Sequence, residues 1–206
     1  MKITYSRTPE RKKAMKKGKS VDRLIAIIES SELLREIFNK ARTLELKSYF
    51  IGAGCITQTV WNHFTGRSLT YGISDIDLVY FDDADLSFEG EDRIVKKAAM
   101  CFEVVPLPID VKNQARVHLW YESKFGIRLN PYRSLEEAIA TWPTTATALG
   151  VRIEQHGKWH VYAPFGLADL FSLTLRPNKT LITEDIYDQK VTKWKSKWPE
   201  LNVSAW

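Results

Sequence analysis

From Val21 onward the apolar residues fall on helical turns, with Leu24, Ile25, Ile27 and Ile28 followed by Leu33, Leu34, Ile37 and Phe38. Ser30-Ser31 between the two sets offers a cap and predicts two helices rather than one. The period changes at Tyr49-Phe50-Ile51, a short apolar strand that ends at Gly52-Ala53-Gly54. Residues 56–64 return to helical spacing and stop at Gly66. Residues 73–81 read as a second strand, apolar except at Asp75 and Asp77. The acidic stretch 82–92 reads as a loop leading into a helix over 93–100. Residues 102–111 make a further strand, although Pro106 and Pro108 keep part of it out of a central ladder.

Beyond Asp110 the spacing is helical again. Asn113 is placed to cap a segment over 114–125, with Gly126 as its terminator. Ser134-Leu135-Glu136-Glu137 has the form of a capping box and opens a helix that Pro143 ends. Residues 151–154 and 159–162 flank His156-Gly157 as a hairpin. The last helices are expected over 167–175 and 186–198. The pattern predicts a mixed α/β (α+β) chain with its sheet concentrated between residues 48 and 112. It divides into a basic segment (1–20), a core (21–130), and a helical and hairpin section (131–206) packed on that core.

Composition narrows the class. With 206 residues, 44% hydrophobic and 27% charged, the chain can bury a core without the help of a metal or a disulfide. Cys55 and Cys101 suit a reducing compartment and read as packed small hydrophobes. Met1-Lys2-Ile3-Thr4-Tyr5 has no apolar signal core, and no run approaches membrane-spanning length, so the expected location is the cytoplasm. The net charge of +5 is concentrated at the start: residues 1–23 hold nine Lys or Arg against Glu10 and Asp22, leaving the rest slightly acidic. Such a segment can grip nucleic-acid phosphates or stand as a solvated tail, and no interleaved aromatics favour the first.

The chemistry is concentrated in Ser74-Asp75-Ile76-Asp77-Leu78. Residues two apart on a strand point to one side, so Asp75 and Asp77 are expected to project together from an apolar background. Two such carboxylates repel unless a cation lies between them, and oxygen donors of this kind suit Mg²⁺ or Mn²⁺. The alternative is an edge strand with both aspartates in water as a guard against pairing. The turn Gly52-Ala53-Gly54 upstream lets backbone approach a phosphate at a helix start, though a plain tight turn has the same residues. Asp110, in Leu107-Pro108-Ile109-Asp110-Val111, supplies a third carboxylate, and Lys112 two residues on is a candidate phosphate contact.

A strand, a glycine turn, a helix, an Asp-x-Asp strand and a later carboxylate together resemble the polymerase-beta-like nucleotidyltransferase superfamily. More narrowly, Val60-Trp61-Asn62, the run from Val111 through Tyr121, and Ala163-Pro164-Phe165-Gly166-Leu167 resemble a small family of nucleotidyltransferase-like proteins. The resemblance implies a mixed sheet flanked by helices. It implies that Asp75, Asp77 and Asp110 hold two divalent ions, and that Asp110 takes the acceptor's proton. Gly52, Ala53, Gly54, Ser74 and Lys112 would bind the nucleotide. The reaction implied is transfer of a nucleoside monophosphate from a nucleoside triphosphate to a hydroxyl on a small molecule, a protein or an RNA. Arg116, His118 and the Trp61-Asn62 pair are further candidates to face the cleft.

Two other readings compete. Gly52-x-Gly54 before a helix, with Asp75 further on, suits a dinucleotide-binding unit, but its third glycine would fall on Thr57. A catalytically silent nucleotide- or RNA-binding module of the same fold would also fit, although it has little use for three converging carboxylates.

Overall fold

The computed structural model describes residues 9–154 and 156–206, with side chains from residue 18 onward. The first eight residues of the basic segment therefore lie outside the described residues. From Pro9 the backbone is helical: α1 (Pro9–Ser30) gives way to α2 (Glu32–Arg42) at Ser31, whose hydroxyl accepts the Leu34 N–H. β1 (Tyr49–Gly52) runs straight into α3 (Ala53–Thr65), which Gly66 ends in the left-handed conformation at φ 67°. β2 (Ile76–Tyr80), α4 (Phe88–Cys101) and β3 (Ile109–Asn113) follow. A 3₁₀ turn (Gln114–Leu119), α5 (Tyr121–Phe125) and α6 (Leu135–Ala140) lead to β4 (Gly150–Ile153) and β5 (Trp159–Tyr162). The chain closes with α7 (Ala168–Phe171), β6 (Thr174–Leu175), α8 (Glu184–Lys195) and β7 (Asn202–Val203).

The main sheet has the order β3-β2-β1-β4-β5, with β2 and β3 parallel and every other neighbouring pair antiparallel. The antiparallel β1–β2 pair removes the dinucleotide-binding reading, which needs parallel strands around its glycine turn. Register sorts the side chains onto two faces. Ile51, Leu78, Val111 and Val151 turn toward α1–α4 and join Leu24, Ile37, Phe38 and Ile56 in the principal core. Each such side chain contributes roughly 1.5–3 kcal/mol by leaving water. On the opposite face Phe50 and Val79 pack against Leu135 and Ile139 of α6, and the rest of that face is left for Asp77, Asp110 and Lys112.

Several expectations need correction. The sheet is not confined to residues 48–112, because the 150–162 hairpin pairs with β1 and extends it; Gly150 makes this possible, since a Cβ there would lie 2.7 Å from the Phe50 ring. Residues 102–108 are a turn rather than a strand, with Val105 N–H bonded to Phe102 C=O and two prolines that donate nothing to a ladder. β2 begins at Ile76, so Asp75 lies just outside the ladder. The helix expected over 114–125 breaks at Trp120 into the 3₁₀ turn and α5, although Asn113 caps the first by accepting the Ala115 N–H and Gly126 ends the second. Over 167–175 only four residues are helical before β6 pairs with β7. In the last of these, pairing between distant segments overrides local period.

Trp61 and Asn62 serve the core, not a base. Trp61 is wholly buried, edge-on to Trp194 and Trp198. The Asn62 amide donates to the carbonyls of Leu69 and Tyr71 and accepts the Trp198 indole N–H at 2.8 Å. It thereby ties the loop after α3 to the C-terminal segment. Cys55 is buried, and burial pushes its thiol well above the ordinary range, as expected of a packed small hydrophobe. No described helix is long and apolar enough to cross a membrane.

Candidate active site

Asp77 stands opposite Gly52 on one neighbouring strand and opposite Asp110 on the other. Register partners on parallel strands share a face, so the carboxylates at 77 and 110 lie side by side. Burial, then repulsion from Asp75 and Asp110, pushes the Asp77 carboxyl up to about 6. Lys112 and the Gly54 backbone N–H act in the opposite direction, more weakly.

The other expected site residues are placed less uniformly. Asp75 is exposed at the mouth of β2 and accepts the Ser74 hydroxyl at 2.9 Å. Lys112, on the same face as Asp110, forms an ion pair with it. Arg116 is turned away, held by Glu91 and by the Leu86 carbonyl, and His118 keeps a buried Nδ1 with no hydrogen-bond partner among the described residues. Among the described residues no three His, Cys, Asp or Glu side chains gather tightly enough to hold a metal ion as they stand. The structure thus brings Asp77 and Asp110 together as register partners, with Asp75 exposed just before β2 but still acting on Asp77 more strongly than Asp110 does. The chemistry of the pair still fits a hard divalent cation: both donors are oxygen, and the raised Asp77 carboxyl records a negative charge that the protein leaves under-compensated.

The glycine turn borders this pair. α3 begins at Ala53 after Gly52, which supplies no side-chain cap; the Ala53 N–H is taken by the Leu149 carbonyl at 3.3 Å and the Gly54 N–H by the Asp77 carboxyl. Ala53 is held at φ 46°, a left-handed conformation that an alanine adopts only under constraint. Gly52 is required by Trp142: a Cβ there would lie 2.6 Å from the indole's six-membered ring. At Gly54 the space is open apart from Gln58, and the buried Gln58 Oε1 has no partner among the described residues. The two glycines therefore do different things, the first admitting an aromatic wall and the second leaving the helix start accessible.

That wall belongs to a cavity of about 360 Å³ into which Ala53, Asp77, Asp110 and Lys112 open. Its sides are Trp120, Tyr121, Phe125, Tyr132 and Trp142, and its far side is Ile182, Ile186 and Lys190 from the C-terminal segment. A concave, aromatic-lined space with a few converging charges is the usual form of a small-molecule site. Lys190 is the cationic group that sequence reasoning missed. Burial, then the neighbouring Lys193, lowers its ammonium, while the charges of Asp77 and Asp75 raise it. In the text of the chain it is one of several lysines on a charged helix, and only the folding of α8 over the sheet singles it out. Trp142 was equally illegible, since nothing in its sequence neighbourhood separates it from a tryptophan of the core.

A nucleotidyltransferase family profile matches residues 39–203. Among solved structures, one described as revealing a CCA-adding enzyme head domain is similar over 89% of this chain and 95% of its own, at 25% identity and a TM-score of 0.72. A weaker likeness, TM-score 0.43 at 16% identity, is to a tRNA-processing enzyme in an apo form, of which 42% is covered. No curated protein matches. With the profile spanning most of the chain and the sheet, glycine turn and aspartates arranged as described, the chain belongs to the nucleotidyltransferase family and is a nucleotidyltransferase.

Proposed function

We propose that the protein moves a nucleoside monophosphate from a nucleoside triphosphate to a hydroxyl acceptor, releasing pyrophosphate. The observation that carries this reading is the Asp77–Asp110 pair opening into the aromatic cavity beside the α3 start. Asp77 and Asp110, with Asp75 at the rim, would hold Mg²⁺ or Mn²⁺, which when bound neutralises phosphate charge and assists attack at the α-phosphorus. The positive dipole end of α3 behind Gly54 and the ammonium groups of Lys112 and Lys190 attract the triphosphate. Trp142, Tyr132 and Trp120 offer faces for the base and exclude water. Asp110 receives the acceptor's proton, and Lys112 holds that carboxylate in place meanwhile.

The test is titration of each nucleoside triphosphate into the full chain with Mg²⁺, followed by pyrophosphate release in a cell extract. Wild type should release pyrophosphate and the Asp77→Ala/Asp110→Ala variant should not. Equal release from both would end the proposal.

A further inference from the structure

A second groove, about 340 Å³, adjoins the aromatic cavity at Asp110. Asp110, Lys112 and Trp120 line both. An attacking hydroxyl must reach the α-phosphorus from the side away from the leaving pyrophosphate, and the base that takes its proton must touch both compartments. Asp110 is so placed.

One wall of the groove is a stripe of α4, Phe88, Glu91, Asp92 and Val95, at helical spacing; the other is the consecutive run from Ile109 to Lys112. β3 is the end strand of the sheet. The bond from Ile76 N–H to Pro108 C=O sets the parallel ladder so that Asp110 and Lys112 direct their backbone groups to β2. Ile109, Val111 and Asn113 then face outward, and the Asn113 N–H is indeed taken by the Glu91 carboxylate. Ile109 and Val111 line the groove, a sheet edge beside a helix stripe of two apolar and two acidic residues, and a sheet edge of this kind can accept an added strand.

Charge selects the strand. The stretch 82–92, which enters α4, holds six acidic residues and no Lys or Arg. Four cations around it are matched one for one, Lys112 with Asp110, Arg116 with Glu91, Lys96 with Asp92 and Arg93 with Asp85, which leaves Asp82, Asp83 and Glu89 as an acidic excess with no ion pair among the described residues. Such a rim repels a phosphate backbone and attracts basic side chains.

We propose that this groove is the acceptor subsite and takes an extended, basic segment of protein chain bearing a Ser, Thr or Tyr hydroxyl; the inference rests on the transfer reading above. The peptide oxygen bonds to the α-phosphorus, the bond from that phosphorus to the bridging oxygen breaks, pyrophosphate leaves with the electron pair, and the hydroxyl proton passes to Asp110.

The experiment measures binding of a fluorescent Lys-Val-Lys-Thr-Val-Lys peptide to the full chain, beside its glutamate counterpart and an RNA hexamer, and then transfer from α-labelled nucleoside triphosphates with Mg²⁺. Val95 and Phe88 are 38% and 68% exposed, so Val95→Arg and Phe88→Ala are expected to fold, which melting curves check. The basic peptide should bind and take label, and both variants should weaken its binding about tenfold. A wild type that binds nucleotide but labels RNA rather than peptide, or peptide binding that neither variant changes, overturns the acceptor assignment and leaves the transfer reading standing. A wild type that binds no nucleotide sinks the transfer reading and the acceptor role together.

Discussion

Asp77 and Asp110 are direct partners across parallel strands β2 and β3, and this pairing sets both the electrostatics and the chemistry of the site. Backbone register keeps both carboxylates on one face, and only rotation of the side chains can separate them. The repulsion between them is therefore built in, and it is answered in part by Lys112 on the Asp110 side.

The first consequence is a pH-dependent stability. The Asp77 carboxyl titrates near about 6 in the fold against 3.8 ordinarily, so between those values the folded state binds more protons than the unfolded one. Stability therefore falls as pH rises through that window, and the ionised group destabilises the metal-free protein above it by up to about 3 kcal/mol. Asp77→Asn should melt higher than wild type at pH 8 in a chelator, with the gap closing by pH 4. Millimolar Mg²⁺ should raise the wild-type midpoint at pH 8 and leave the variant unmoved. Parallel pH profiles for the two proteins would show that the carboxyl is not strained in this way.

Removal of individual carboxylates should separate the pair from the rim residue. Asp77→Ala and Asp110→Ala should each lower transfer by more than the roughly 10–100-fold that loss of an outer-sphere partner costs. Asp75→Ala, at an exposed position, should fall less far and recover part of its loss as Mg²⁺ or Mn²⁺ is raised. Steady-state rates across a metal titration give the comparison. An Asp75 variant as dead as the other two at saturating metal would place all three carboxylates in one shell.

The two glycines of the turn are predicted to behave oppositely. Gly52→Ala drives a Cβ into the Trp142 ring and close to the Leu149 carbonyl, at 2.6 and 3.1 Å, and overpacking of this kind costs roughly 1–3 kcal/mol. Gly54→Ala meets only the Gln58 amide at 3.1 Å, so it should fold well while weakening nucleotide binding at the helix start. Trp142→Ala should relieve part of the Gly52→Ala penalty, giving a non-additive double-mutant cycle in denaturant melts. Strict additivity would mean that the ring is not what the glycine accommodates.

What the sequence disclosed and what it hid follow from range. Ser31, Ser134 and Gly66 announce helix ends because a cap is a local hydrogen bond, and all three are used as expected. The strand bearing Asp77 was legible from its apolar run, and the glycine turn from its position between strand and helix. The strand starts at Ile76, later than its apolar run suggests, so Asp75 stands just before the ladder at an exposed position. The β4–β5 hairpin was visible but its pairing with β1 was not, since register between segments a hundred residues apart leaves no local period. Lys190 and Trp142 enter the cavity only through tertiary packing, and nothing in their neighbours marks them.

Lys190 provides the remaining prediction. Lys190 lines the same cavity as Asp77; burial lowers its ammonium, the charges of Asp77 and Asp75 raise it in part, and the Trp194 ring lies 5.8 Å away. A partly desolvated cation facing a carboxylate-lined cavity gains most when a polyphosphate enters, because the phosphate replaces the water that burial removed. Lys190→Met keeps the apolar stem and removes the charge. It should raise the KM for nucleotide about tenfold, equivalent to roughly 1.4 kcal/mol, and flatten the dependence of KM on salt. Lys193, on the exposed side of the same helix, is the control, and Lys193→Met should change neither quantity. If the two variants behave alike, the effect belongs to the overall charge of α8, and Lys190 has no private role at the phosphates.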